Sequence, residues 1–333
     1  MHLLRSLVTI SSLILLVSCG TMQKSSQTTT AYNSDPWDSV MIPEWYDPAE
    51  FDTISVVTWN LEHFVDDYDN PYIDNERENN PGEGLDERRA LLAYAIEKID
   101  ADIIVFQEIE SAAYASLLAD EHFEQQGYRL FTGRESSDWY MNVVIMSRLP
   151  LGILYSYANI STPIEGQLTD EGEQARQHFT NNRMVSVDVL VNPDYTFTLT
   201  GVHLKAGRGD RNEGWRMGQV NLLRSHYSGI LSRDPDAMIL FTGDLNMQPG
   251  DPEYSLLMGE GTDVRFVDPL ADVESLTHPA DDPTRQLDYV LPNDQMMESL
   301  VEGSSRVLTP LDTQSMRKIS DHLPVIARFI TTK

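Results

Sequence analysis

The sequence predicts a single domain of many strands with helices between them, of the α/β or α+β class. Three observations carry that prediction. Short β-branched apolar runs recur along the chain from Phe51 onward, stretches with helical spacing separate them, and no internal repeat is visible. The runs are 54–59, 103–106, 143–146, 184–190, 195–204, 237–241, 287–291 and 323–330. In 184–190, Val185, Val187 and Val189 alternate with Ser186 and Asp188, the period of a strand with one buried face. Others are continuously apolar, as strands covered on both faces are. Leu85, Arg89, Leu92, Ile96 and Ile99 fall on one helical stripe, Trp215, Val220, Leu223 and Ile230 on another, and a third helix should begin near Ser111.

The 333 residues have ordinary apolar content, 41 %, which excludes a disordered or collagen-like chain. With 52 acids against 24 bases the net charge is −28, which disfavours a general basic groove for nucleic acid, so that any polyanion must be held by a local basic strip or by cations. The lone cysteine, Cys19, rules out disulfides. It follows Arg5 and an apolar run, Ser6 to Ser18, whose 13 residues are too few for the ~20 that span a bilayer. The run reads as a secretory signal. Its end, Leu16-Val17-Ser18-Cys19, resembles a bacterial lipobox, which implies cleavage before Cys19, lipidation of its thiol and anchorage at the cell envelope, on the periplasmic side or the outer surface. Gly20 follows, in place of the Asp that often marks inner-membrane retention. Residues 19–50, rich in Ser and Thr and without periodicity, read as a tether, leaving 51–333 as the domain.

Polar residues cluster where the predicted strands end. Asn60 closes the first, in Thr58-Trp-Asn-Leu-Glu62, and Gln107 and Glu108 close the second. His203 ends another in Gly201-Val-His-Leu-Lys205. Asp244 and Asn246 sit in Gly243-Asp-Leu-Asn246, Asp288 in Gln286-Leu-Asp-Tyr289, and Asp321 and His322 in Ser320-Asp-His322. Singly, each has an ordinary explanation as a turn residue or a hydrogen-bonded histidine. Together they are hard oxygen donors with imidazoles and no thiolate pair, which suits Mg²⁺ or Mn²⁺. The chain has no Gly-x-Ser-x-Gly elbow and no Walker loop, so metal-assisted attack of water on a phosphate ester remains.

These six motifs, in this order, resemble the endonuclease/exonuclease/phosphatase superfamily, which includes deoxyribonuclease I, repair nucleases, deadenylases, sphingomyelinases and inositol-polyphosphate 5-phosphatases. The resemblance covers about Thr53 to Phe329 and implies a four-layer sandwich of two mixed sheets packed face to face, with helices outside and the site at one edge. It implies Glu108 as the principal metal ligand, with Asn60 and Asp321 beside it and Gln107 behind. Asp244 would activate the water and Asn246 would bond the phosphate. His322, held by Asp288, would stabilise developing charge, and His203 would contact the phosphate. The continuation Met247 to Tyr254 looks closer to deadenylase-like and bacterial secreted members, and Tyr140 is only a positional candidate for the tyrosine of repair nucleases.

Lys205, Arg208, Arg211 and Arg216 put four bases within twelve residues, read as a phosphate-gripping strip to which Arg183 and Arg285 could add, with Trp215 available to stack on a base. The acidic stretch 66–84 reads as a solvated loop, with Ca²⁺ binding possible. The expected activity is a metal-dependent phosphodiesterase acting as a monomer on nucleic acid, with no protein partner. The alternatives are a lipid or small-molecule phosphodiesterase or phosphatase and, third, an inactive binding protein.

Overall fold

The computed structural model describes residues 42–136 and 139–332. In chain order the first strands are β1 (Thr53–Phe64), β2 (Ile103–Ile109), β3 (Leu130–Gly133), β4 (Asn142–Ser147), β5 (Leu151–Ser156), β6 (Thr162–Leu168) and β7 (Gln174–Gln177). The remainder are β8 (Met184–Asn192), β9 (Tyr195–His203), β10 (Met238–Asp244), β11 (Asp288–Pro292), β12 (Arg306–Val307) and β13 (Val325–Ile330). One mixed sheet runs β12-β13-β1-β2-β4-β3 and the other β11-β10-β9-β8-β5, while β6 and β7 pair as a separate hairpin. Each large sheet holds one parallel pair, β1 with β2 and β9 with β10. Parallel neighbours need a crossover, and a helix supplies each: α1 (Leu85–Ile99) for the first and α3 (Asp210–Leu231) for the second. Between them lies α2 (Ala112–His122), whose start is fixed by the Ser111 hydroxyl accepting from the Tyr114 N–H at 2.9 Å. The shorter helices α4 (Pro252–Met258) and α5 (Thr313–Ile319) follow.

The apolar alternation of the strands builds three layers of core. Val56, Val105, Val143 and Ile145 of the first sheet meet Val187, Val189, Leu199 and Leu240 of the second. The outward faces carry Trp59 and Phe106 under Leu92, Ile96, Leu118 and Ile319, and Val202 and Phe241 under Val220, Leu223 and Tyr227. The result is helix, sheet, sheet, helix, the sandwich expected. The sheets approach closely at Gly201, where a Cβ would stand 2.7 Å from Val105 Cγ1 and 3.0 Å from Val143 Cγ1. Among the described residues no helix is long and apolar enough to cross a membrane.

One expectation about boundaries changes. Tyr46, placed by sequence in the tether, is 8 % exposed, stacks on Phe51 and donates its hydroxyl to the Val191 carbonyl at 2.7 Å, so the folded body begins before residue 51. An isolated aromatic in a polar stretch gives no periodic signal, so composition alone assigns it to the tether. Cys19 and the 1–18 segment lie outside the described residues.

Candidate active site

Asn60 ends the regular part of β1, Glu108 lies near the end of β2, and His203 and Asp244 are the last residues of β9 and β10, paired directly opposite one another. Asp288 opens β11 opposite Asp244, and His322 precedes β13. Two backbone irregularities turn the ends of the first sheet toward this edge. The β1–β2 register shifts between Asn60 and Phe64, where Glu62 and His63 have φ of 46° and 55°, and the β2–β4 register shifts around Glu108, at φ 57°. Asn246, at φ 53°, is the fourth left-handed non-glycine residue here. Such conformations cost on the order of 1–3 kcal/mol each and persist where the surroundings over-determine them. Gly243, at φ 145°, is required before Asp244 because a Cβ there would lie 2.0 Å from the Val202 carbonyl oxygen.

The Asn60 amide nitrogen donates to Glu108 Oε1 (3.3 Å) and to Asp244 Oδ2 (3.0 Å), joining the two sheets, while its oxygen accepts from the Glu62 N–H. His203 Nε2 stands 3.7 Å from Glu108 Oε1 and 3.6 Å from Asp244 Oδ2. Burial pushes His203 down to about 3 despite Glu108, so it is a neutral imidazole, with Nδ1 buried and unpartnered. Burial pushes the Asp244 carboxyl up to about 7, against the pull of His322 and the hydrogen bonds from Asn60 and the Asn246 N–H. Burial also raises Glu108, but the surrounding histidines and the Asn60 amide outweigh it and hold this carboxyl below its ordinary value.

His322 is the cation of the site. Burial disfavours its charge, but Asp288, whose Oδ2 accepts from Nδ1 at 2.8 Å, outweighs burial and, with Asp244 and Asp321, pushes the pKa up to about 10. The Ser320 hydroxyl fixes the ring from behind, donating to the Asn60 carbonyl at 2.6 Å and accepting from the His322 N–H at 2.9 Å. Nε2 is left facing Asp244 Oδ2 at 3.9 Å and Asp321 Oδ1 at 3.8 Å.

The structure thus brings Asn60, Glu108, His203, Asp244, Asn246, Asp288, Asp321 and His322 to one place. Gln107 stays behind, wholly buried, its amide donating to Thr58 Oγ1 and the Val105 carbonyl and so bracing β1 against β2. Lys205 borders the site with its ammonium 5.6 Å from the Trp215 ring, and Arg208 and Arg211 are exposed. Arg216 corrects the expectation. It is 3 % exposed, paired with buried Glu253 at 2.7 Å and donating to the Lys205 and Gly207 carbonyls at 2.8 Å, so it shapes the loop and does not reach a ligand. Trp215 donates its Nε1 to Thr180 Oγ1 at 2.9 Å, which ties it to the protein. Arg183 approaches Glu108 closely enough for their charges to interact, and its guanidinium forms no ion pair among the described residues.

Four residues gain a role that the sequence does not assign them. His63 donates its backbone N–H to Glu108 Oε2 (3.1 Å), and its Nδ1 shares a 2.7 Å hydrogen bond with Tyr140 Oη. Arg285 donates to His278 Nδ1 at 2.7 Å, which leaves the ring proton on Nε2, 3.3 Å from Asp321 Oδ2. Only the position of Tyr140 before a strand and of Arg285 before Asp288 offers a signal. Two clusters have metal-ligand spacing among the described residues, Asp244-Asp288-His322 and His278-Asp321-His322, and neither includes an acid from 66–84, where Ca²⁺ binding was possible. The carboxylates of the centre, with Asp288 Oδ1 buried and unpartnered, are a donor set that fits a hard divalent cation.

The model of the Endonuclease/Exonuclease/phosphatase family matches residues 57–322, which spans every one of these side chains. The chain belongs to this family. Members of the Endonuclease/Exonuclease/phosphatase family are phosphoester hydrolases. No curated protein matches the chain in sequence. Its fold is similar to truncated Caenorhabditis elegans TDP2 (15 % identity, TM-score 0.55, covering 84 % of this chain and 98 % of that one). It is likewise similar to the human Nocturnin catalytic domain with bound sulfate (19 %, 0.55, 86 % and 96 %). D. rerio TDP2 complexed with single-strand DNA product is a third such structure (17 %, 0.54, 83 % and 98 %).

Proposed function

We propose that this chain is a Mg²⁺- or Mn²⁺-dependent phosphodiesterase, a nuclease acting as a monomer, anchored through a lipid on Cys19 at the cell envelope. The observation that carries the hydrolytic reading is the convergence of a charged imidazole (His322), a buried carboxyl poised near neutrality (Asp244) and a carboxylate donor (Glu108) at the meeting edge of the two sheets. Glu108 would be the principal metal ligand, with Asn60 and Asp321 as neighbours, and the ion would neutralise phosphate charge and orient it for in-line displacement.

The chain's own groups do the rest. Asp244 accepts the proton of the attacking water as the new P–O bond forms, a task suited to a base near pH 7. His322 Nε2–H faces the phosphoryl oxygens, where charge accumulates as the ester P–O bond breaks. Neutral His203 and the Asn246 amide add hydrogen bonds to that phosphate. Nucleic acid as the substrate is supported by the cations Arg183, Arg208 and Arg211, which form no ion pair among the described residues, in a protein of net charge −28, and by a protein of the same fold holding a single-strand DNA product.

The test sets a long single strand against bis-p-nitrophenyl phosphate, in the wild type and after neutralising Lys205, Arg208 and Arg211. KM for the strand should rise, and the slope of log K against log salt should flatten by about 0.7–0.9 for each phosphate the protein no longer neutralises. The small diester should be cleaved as before. Equal loss on both substrates would place the strip in the catalytic centre, and no loss on either would favour a lipid or small phosphoester. Cys19→Ser should move the protein from the membrane to the soluble fraction, because acyl chains contribute ~0.8 kcal/mol per buried CH₂ and an apolar run of 13 residues is too short to hold the protein in a bilayer. An unmodified Cys19 in the mass of the mature N-terminus refutes the anchor.

A further inference from the structure

Beside the catalytic centre is a cavity of about 470 Å³ that the hydrolytic mechanism does not use. Trp139, His178, Phe179, Asn182, Arg134 and Arg183 line it. Its volume falls in the range of small-molecule sites. Phe179 is 65 % exposed at its wall and stacks on His178 at 4.4 Å and 28°, which leaves ring surface open to a ligand. The route from the cavity to the centre is short and continuous. Trp139 packs on Tyr140 with ring centroids 5.2 Å apart, Tyr140 bonds His63, and His63 bonds Glu108. Arg183 sits across this junction, over the Trp139 ring at 5.9 Å and unpaired by any carboxylate among the described residues. A cation at the mouth, aromatic surfaces inside and the Asn182 amide at the wall are the elements that hold a phosphate and the planar base attached to it.

We propose that this cavity is a nucleobase subsite: it takes the base of the nucleotide flanking the scissile phosphate on the Glu108 side, with Phe179 and Trp139 as stacking surfaces and Arg183 on that nucleotide's phosphate. This rests on the reading of the substrate as nucleic acid and adds where one base is held. Stacking is sequence-tolerant, because every base has a π-face, so the subsite confers a requirement for a base and not for one particular base.

Calorimetric titration of the full chain with adenosine 5′-monophosphate and with ribose 5-phosphate separates the base from the phosphate. Adenosine monophosphate should bind roughly tenfold or more tightly. Phe179→Ala, whose ring is too exposed to support the fold, and Trp139→Leu should each reduce that preference while leaving ribose 5-phosphate affinity unchanged. Equal affinities in the wild type, or a preference that survives both substitutions, overturn the subsite. A second arm compares an oligonucleotide with the same strand carrying an abasic spacer next to the cleaved bond. Phe179→Ala should slow the first and not the second, and equal slowing of both overturns the proposal. A wild type that prefers adenosine monophosphate yet cleaves no strand keeps the subsite and refutes nucleic acid as the substrate.

Discussion

Replacing His322 by alanine should lower kcat a hundredfold or more with little change in KM, a loss of roughly 3 kcal/mol, because its interaction strengthens only as negative charge builds on the phosphate. The same geometry predicts a graded result at Asp288. The folded pKa of His322, about 10, is raised by that carboxylate, so the imidazolium persists below it and is lost as pH rises through it. Asp288→Asn removes the charge that outweighs burial, and the alkaline limb of the kcat profile should move to lower pH while the ring keeps its hydrogen-bond partner. The folding linkage has the same sign. The pair stabilises the protein fully below the unfolded histidine pKa of about 6.5 and ceases to do so above the folded value. An unmoved alkaline limb in Asp288→Asn would show that another group sets it.

The second large effect is at Glu108. Glu108→Gln keeps the shape and, through its one remaining oxygen, one of the two hydrogen bonds from Asn60 and His63, but removes the charge that would hold a cation. Hydrolysis should fall by two to three orders of magnitude, about 3–4 kcal/mol, and stimulation by added Mg²⁺ should disappear while the melting temperature without metal stays within a few degrees. Retention of metal-stimulated activity in this variant would move the ion to one of the other two clusters, and full activity in excess chelator would end the metal mechanism altogether.

Most of the centre is legible because its residues sit at strand ends, where a run of β-branched residues stops at a polar one. Asn60, Glu108, His203 and Asp244 lie at such stops, Asp288 stands where a strand begins, and the order of the motifs points to the family. What escapes has a common cause: it depends on contacts between elements remote in sequence. His63 matters because Tyr140, 77 positions later, reaches its ring. His278 lies in an aperiodic stretch, and its importance comes from Arg285 on one side and Asp321 on the other. Arg216 misleads for the complementary reason. Its charge looks available within a basic strip, but helix α3 turns it inward onto Glu253, and the helical register alone does not reveal an acid 37 residues away. β6 and β7 carry few β-branched residues, and β12 is too short for a period to form.

The centre is divided between the two sheets. Glu108 and Asn60 belong to one, His203, Asp244 and Asp288 to the other, and His322 crosses from the first to meet its partner in the second. Neither sheet holds the whole set, so the proposed hydrolysis requires their mutual alignment to within a hydrogen-bond length, and the close approach at Gly201 sets the spacing just behind the site. The enzyme therefore has a built-in alignment gauge. A side chain wedged into that seam, or mild heating that lets one sheet slide on the other, would silence it while both ladders remained intact, and activity would be lost before secondary structure melts.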